Sequence, residues 1–129
     1  MNFPKELRYT KTHEWAKKEG SLITVGITDY AQKEISDVVF VEVPKMNASV
    51  EKGKPMAVVE SVKAAFDIYA PVSGKVVQVN SSLEGDPAIV NQDSYGRGFF
   101  CQIEMSQAAD WDQLLTAEAY EKAIKEGAH

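Results

Sequence analysis

The sequence predicts a mainly β domain, arranged as a sandwich or barrel and closed off by a C-terminal helix. Short segments rich in β-branched residues follow one another between residues 8 and 104, and turn residues separate them. Two other stretches, one after Gly26 and one from Asp110 onward, carry apolar residues at helical spacing instead. A length of 129 residues fits one domain better than two, so we expect a single domain over residues 1–129.

Short segments between turn residues predict strands at residues 14–18, 22–25, 38–43, 56–60, 66–70, 75–79 and 99–104, and residues 22–25 are rich in β-branched side chains. A turn over residues 18–21 joins the first two. The third is the strongest strand prediction, and it ends at a proline because proline cannot donate to a ladder. In the last, Phe99, Cys101 and Ile103 fall on one face, which predicts that this face is buried.

Two segments predict helices. Thr28 is a capping residue, and Ala31 and Ile35 follow it four positions apart, which indicates a short helix. The C-terminal segment carries a helical apolar stripe, which is Trp111, Leu114, Leu115, Ala119, Tyr120 and Ala123. Thr116 followed by Glu118 predicts a cap within this segment, and residues 126–129 are expected to fray.

The composition excludes several classes of function. The net charge of −5 provides no cationic face for a nucleic-acid backbone. The single Cys101 excludes an intramolecular disulfide, and His13 and His129 are too few for a metal site, so no metal is expected. The N-terminus lacks the pattern of a signal peptide, and no apolar run is long enough to cross a bilayer. A location in the bacterial cytoplasm or an organelle matrix is therefore expected.

The most informative segment is residues 58–74, in which two apolar strands flank a five-residue turn at 61–65. Lys63 lies at the centre of that turn, and the small side chains of Ala64 and Ala65 leave its ammonium group unobstructed. A hairpin of this shape directs its middle side chain into water. The segment thus presents one lysine at a rigid tip.

Such a lysine has a simple alternative explanation, because surface lysines at turns usually only maintain solubility. A Schiff-base nucleophile is disfavoured, since lysines of that kind are desolvated to lower their pKa. A protruding lysine is better suited to modification by another enzyme.

Residues around Lys63 resemble the lipoyl-attachment segment of the glycine cleavage H-protein family. The matching residues are Glu60-Ser61-Val62-Lys63-Ala64-Ala65 and Asp67-Ile68-Tyr69-Ala70-Pro71-Val72-Ser73-Gly74. Similar matches are His13-Glu14-Trp15, residues 25–32, residues 37–44, Ile89-Val90-Asn91 and residues 95–99. The resemblance runs from about Leu7 to Tyr120 in the family's order.

This resemblance implies a barrel-sandwich hybrid of the lipoyl/biotinyl-like type, with a short helix in the N-terminal half and C-terminal helices. It also implies that Lys63 carries lipoate through an amide. Biotinyl domains usually place a methionine on each side of the lysine, whereas Val62 and Ala64 stand here. Lipoyl domains of 2-oxo acid dehydrogenase acyltransferases usually carry Asp-Lys-Ala, are shorter, and lack both the His13-Glu14-Trp15 segment and the C-terminal helical region.

The resemblance further implies a role in glycine catabolism and one-carbon metabolism. The chain would carry the aminomethyl group from glycine decarboxylase (P protein) to aminomethyltransferase (T protein). Dihydrolipoyl dehydrogenase (L protein) would then reoxidise it, and a separate enzyme would attach the lipoate. The chain would have no catalytic residues of its own, because the hard chemistry belongs to the partners' cofactors. We expect a monomer.

A loaded arm needs protection from water, and the family is understood to fold it against a cleft. A carboxylate there could hold the protonated amine by a charge-assisted hydrogen bond. By resemblance, the candidate residues are Glu14, Asp67, Thr12, Ile27 and His13. The alternative for Glu14 is an ion pair with Lys17 or Arg8, and His13 has the alternative of a structural role.

Two positions depart from the family pattern. Phe66 stands where a small residue is common, and it could narrow the cleft or alter docking of the lipoate-attaching enzyme. Phe99 replaces a tryptophan and is expected to stay in the core. Two further hypotheses remain open: an H-like relay of lipoate or octanoate to other lipoyl enzymes, and a plain β domain for protein contact with Lys63 unmodified.

Overall fold

The computed structural model describes residues 1–127, so His129 and part of the segment predicted to fray lie outside the described residues. The strands are β1 Arg8–Tyr9, β2 Glu14–Glu19, β3 Leu22–Ile27, β4 Val38–Glu42, β5 Ser49–Val50, β6 Pro55–Ser61, β7 Ala65–Tyr69, β8 Gly74–Val79 and β9 Cys101–Met105. The helices are α1 Asp29–Ile35, α2 Ser82–Gly85, α3 Ile89–Gln92, α4 Ala109–Asp112 and α5 Ala117–Lys125.

The strands form two antiparallel sheets. The larger has six strands in the order β1-β2-β3-β9-β8-β5, and the smaller has three in the order β4-β6-β7. Buried side chains from both sheets and from α1, α2 and α3 form one core cluster, which includes Ile27, Val41, Val59 and Phe100. The prediction of a mainly β chain is confirmed, and each predicted strand overlaps an observed one.

The start of β9 differs from the sequence prediction. The strand begins at Cys101 rather than Phe99, and Phe100 is fully buried although the alternation placed it opposite the apolar face. The Phe100 N–H donates to the carbonyl of Val25 at 2.7 Å. Phe100 packs in the core shared by both sheets, whereas the half-buried Phe99 packs against a separate aromatic cluster. The two neighbouring phenylalanines therefore pack in two different cores. The two-residue period of a strand would bury only one of them.

Both helix predictions are confirmed, with one change. Thr28 caps α1 and accepts a hydrogen bond from the Ala31 N–H at 3.1 Å. Thr116 caps α5, as predicted, but the C-terminal stripe is split into α4 and α5. The split arises because Leu115 and Tyr9 exchange two backbone hydrogen bonds of 2.8 and 2.9 Å, which removes Leu115 from the helix. No helix within residues 1–127 is long and apolar enough to span a bilayer.

Gly26 pairs with Trp15 across the β2–β3 ladder, and the indole ring leaves no room for a side chain at this position. A Cβ atom there would lie 2.6 Å from the indole ring, which is held by a 2.8 Å hydrogen bond from its Nε1 to the Ser94 carbonyl. We expect Gly26→Ala to lower the free energy of unfolding by about 1–3 kcal/mol, as overpacking does, in urea titrations. Gly85→Ala is the matched control, because its Cβ would meet open space. Equal stability of the two variants would contradict this prediction.

Candidate functional site

Lys63 lies in the turn between β6 and β7. The ladder extends to Glu60 and Ala65, and the Ser61 N–H donates to the Ala64 carbonyl at 2.9 Å. The turn therefore comprises residues 62–64, and the prediction of a five-residue turn is wrong. The reason lies in Ser61, whose Oγ accepts from the N–H groups of Lys63 at 3.1 Å and Ala64 at 3.3 Å. The hydroxyl satisfies the turn backbone and so permits a tighter connection.

The Lys63 side chain is exposed, as predicted, and reaches the end of helix α1. Its Nζ donates to the backbone carbonyl of Glu34 at 3.0 Å. An ammonium group near a helix C-terminus interacts favourably with the unsatisfied carbonyls there. Because Glu34 also lines the large pocket described next, the amine lies at the rim of that pocket.

A pocket of about 550 Å³ opens between helix α1, the β1–β2 connection and strand β7. Its lining residues are Thr12, His13, Ile27, Tyr30, Ala31, Glu34, Ile35, Val59, Phe66, Asp67, Ile68 and Tyr69. Four of the five residues named as cleft candidates from the sequence are therefore brought together here. The lining is mainly apolar, with Asp67 and Glu34 as its two acidic residues. Such a pocket suits an aliphatic chain that ends in a polar group.

Glu14, the fifth candidate, is buried behind the pocket wall. Its carboxyl group lines a second cavity of about 250 Å³, and the two cavities share Thr12 and Tyr69 as walls. The side chain is only 1% exposed and accepts hydrogen bonds from the Thr10 hydroxyl, the Thr12 hydroxyl and the Tyr69 N–H, at 2.5, 2.5 and 3.1 Å. Burial raises the pKa of Glu14 to about 7, although the hydrogen bonds act in the opposite direction.

The alternative of an ion pair between Glu14 and Lys17 or Arg8 is wrong. Within residues 1–127, Glu14 makes its contacts with threonine hydroxyls and a backbone N–H. Arg8 instead donates to the Trp111 carbonyl at 3.1 Å and lies over the Trp111 ring.

His13 connects the pocket to the C-terminal helix. It adopts a positive φ of 78°, and its Nδ1 lies 2.7 Å from the hydroxyl of Tyr120 in α5. The same hydroxyl lies 2.8 Å from the Thr28 hydroxyl, which caps α1. His13 thus both lines the pocket and has a structural role, so the two alternatives stated for it are compatible.

Seven pocket residues were not identified from the sequence, and three of them carry polar groups, namely Tyr30, Glu34 and Tyr69. Tyr30 and Glu34 are four positions apart on α1, so the helix prediction already carried the signal that they share a face. Phe66 was noted as a departure, and the structure places it in the pocket lining, where it is 37% exposed. It reaches the pocket because it pairs with the buried Val59.

No group of three or more His, Cys, Asp or Glu side chains in the described part of the chain is arranged to hold a metal ion. Cys101 is fully buried, as its place on the apolar face predicts, and burial raises the pKa of its thiol to about 12. A thiol in this environment is unreactive.

The fold matches one known family over nearly the whole chain. The family model described as glycine cleavage H-protein matches residues 7–127. The chain belongs to this family. The resemblance drawn from the residues around Lys63 is thereby confirmed, which separates the chain from biotinyl domains and from the lipoyl domains of 2-oxo acid dehydrogenases.

Relatives and a solved structure agree with membership of the glycine cleavage H-protein family. The glycine cleavage system H protein of Thermus thermophilus is 53% identical over 97% of this chain and 98% of its own length. That of Acinetobacter baumannii is 52% identical over 96% of this chain and its full length. The crystal structure of a glycine cleavage system H protein from Mycobacterium marinum superposes with a TM-score of 0.85, at 35% identity, covering 96% and 98% of the two chains. The two-sheet fold with short helices is thus an H-protein fold, consistent with the expected lipoyl/biotinyl-like barrel-sandwich hybrid.

Proposed function

We propose that this H-protein family member is a single lipoyl-carrier domain in which Lys63 bears lipoate through an amide. The observation that carries the proposal is the placement of an exposed lysine amine at the rim of a mainly apolar pocket. A modifying enzyme can reach the amine from solvent. A chain attached to it can also turn back into the pocket beside it.

The residues present fit such a prosthetic group. The aliphatic part of an arm attached at Lys63 would contact Ile27, Val59 and Ile68, and burying apolar surface there is favourable. When bound, lipoate would supply a disulfide that opens to accept the aminomethyl group. It would be left as a dithiol once that group has been passed on. Asp67 and Glu34 line the same pocket, and a carboxylate of this kind can accept hydrogen bonds from a cationic amine.

We assign Thr12, Glu14 and His13 to holding this pocket in shape. Thr12 lines the pocket and donates to the buried Glu14 carboxyl group. Glu14 therefore positions two lining residues, Thr12 and Tyr69, by accepting hydrogen bonds from them. His13 holds the segment before β2 against helix α5 through its contact with the Tyr120 hydroxyl.

The cycle that follows involves three partner enzymes. The chain carries the aminomethyl group from glycine decarboxylase (P protein) to aminomethyltransferase (T protein), and dihydrolipoyl dehydrogenase (L protein) restores the disulfide. A tethered group has a raised effective concentration at each partner's site, which is the advantage of a carrier. We assign no catalytic residue to this chain, because exposure of Lys63 to water disfavours its use as a nucleophile toward substrate.

Intact-mass measurement and an exchange assay test the proposal. We expect the chain purified from cells able to attach lipoate to gain the mass of one lipoyl group. This form should support glycine-dependent exchange of carbon dioxide with the cognate decarboxylase, whereas the unmodified form should support none. An unchanged mass would contradict attachment. A lipoylated chain without exchange would favour the lipoate or octanoate relay instead.

A further inference from the structure

The strand β4 contains a bulge that turns two consecutive apolar side chains outward. Val38 pairs with Ser61 and Phe40 pairs with Glu60, so Val39 is an extra residue in the ladder. Val38 is buried, whereas Val39 is 55% exposed and Phe40 is 48% exposed. Strict alternation would have placed Phe40 on the buried side of the sheet, together with Val38. The bulge instead displays it to solvent.

Val62 extends this apolar surface to the turn that carries Lys63. It is 65% exposed, and its N–H donates to the Asp37 carbonyl at 3.0 Å, which holds it beside the start of β4. We call Val39, Phe40 and Val62 the acceptor face. Apolar side chains gathered in this way are typical of surfaces that bind a partner.

The two segments that carry the acceptor face are mainly acidic. Within residues 37–42 and 58–67, Lys63 is the only basic residue. The exposed acidic residues there are Asp37, Glu42, Glu60 and Asp67. The complementary surface is therefore an apolar recess with lysine or arginine side chains on its rim. A second copy of this chain would not provide it, because two acidic rims would repel each other.

We propose that the acceptor face is the docking site of the acyltransferase that modifies Lys63. The inference rests on the proposed attachment at Lys63. This enzyme must bring an activated acyl carbon to Nζ itself, so its contact surface must include the turn and its surroundings. The three partners of the cycle act at the far end of the arm and have no such requirement. Val62 precedes Lys63 directly, and Phe40 pairs with Glu60, three positions before it.

The acylation step uses the neutral amine of Lys63. Its nitrogen attacks the acyl carbon of a lipoyl or octanoyl group activated as an acyl adenylate or a thioester. The N–C bond forms while the bond from that carbon to the activating oxygen or sulfur breaks. The leaving group takes the electron pair, and the proton lost by the amine passes to solvent. No oxidation or reduction takes place.

The test is steady-state acylation of the full chain by a purified lipoate–protein ligase supplied with lipoate and ATP, followed by intact mass. We expect Phe40→Asp to raise the KM for this chain about tenfold or more, as loss of a central apolar contact does, and to change kcat by less than about twofold. Phe40→Ser should raise KM in the same direction by a smaller factor. Near-ultraviolet circular dichroism verifies that both variants are folded.

A matched control separates docking from general effects. Met46→Asp changes another exposed apolar residue, which lies in the loop after β4. This variant should retain the wild-type KM. A wild-type KM for Phe40→Asp and Phe40→Ser would overturn the docking proposal alone. So would sedimentation showing that Phe40→Asp dissociates a wild-type dimer. Failure of the wild-type chain to be acylated would overturn the proposed function together with it.

Discussion

Lys63→Arg is expected to abolish the gain in mass completely, in cells that lipoylate the wild-type chain. Arginine keeps the charge and approximate length of lysine and can donate to the Glu34 carbonyl, which accepts from Lys63 at 3.0 Å. The guanidinium group remains protonated at all accessible pH values, however, so it has no free electron pair with which to attack an acyl carbon. Intact-mass spectrometry measures the outcome, and glycine-dependent exchange of carbon dioxide should disappear with it.

The control for this substitution is Lys54→Arg, which changes another exposed lysine, immediately before β6. We expect this variant to be lipoylated to the wild-type extent. The stability of Lys63→Arg should stay within about 0.5 kcal/mol of the wild type, because surface changes of this kind have small effects. A lipoyl-sized gain in mass by Lys63→Arg would show that attachment occurs elsewhere.

The buried carboxyl group of Glu14 is expected to make the stability of the chain depend on pH. Burial raises the pKa of Glu14 from 4.5 to about 7 in the folded state. A raised pKa means that the folded chain binds a proton more tightly than the unfolded chain. The contribution of this group to stability is therefore fully present below pH 4.5, and it is lost progressively as the pH rises to about 7.

Glu14→Gln removes this titration while keeping the size of the side chain. Relative to this variant, the wild-type free energy of unfolding should fall by up to about 3 kcal/mol as the pH is raised across that range. Urea titrations at a series of pH values measure the difference. Thr12→Val, which removes a hydrogen bond that favours the carboxylate, should move the transition to higher pH. Parallel pH profiles for the wild type and Glu14→Gln would contradict the prediction.

The sequence predicted the long elements of the fold because their patterns are local. Thr28 and Thr116 identified the starts of two helices, since capping depends on a side chain and N–H groups within three residues. The strands β1 and β5, at two residues each, are too short to show any period. The four-residue helices α2 and α3 were missed for the same reason.

The membership of the candidate site was predictable in part, but its arrangement was not. The resemblance to the family indicated Thr12, His13, Ile27 and Asp67, and the pocket contains all four. The burial of Glu14 could not be foreseen, because one of its partners is the N–H of Tyr69, which a different sheet supplies. The exposure of Phe40 was equally hidden, since a single extra residue in the ladder reverses the direction of a side chain.

The order of the strands has a consequence for how the chain folds during its synthesis. The three strands of the smaller sheet, whose β6–β7 turn bears Lys63, all lie within residues 38–69, and only the short β5 from that interval joins the larger sheet. The larger sheet closes only when β9 enters between β3 and β8, and this requires residues that leave the ribosome much later. Because distant pairings form slowly, we expect the lysine-bearing hairpin to mature first and closure of the six-stranded sheet to limit the rate. The acceptor amine is then displayed on a nascent chain whose scaffold is still open.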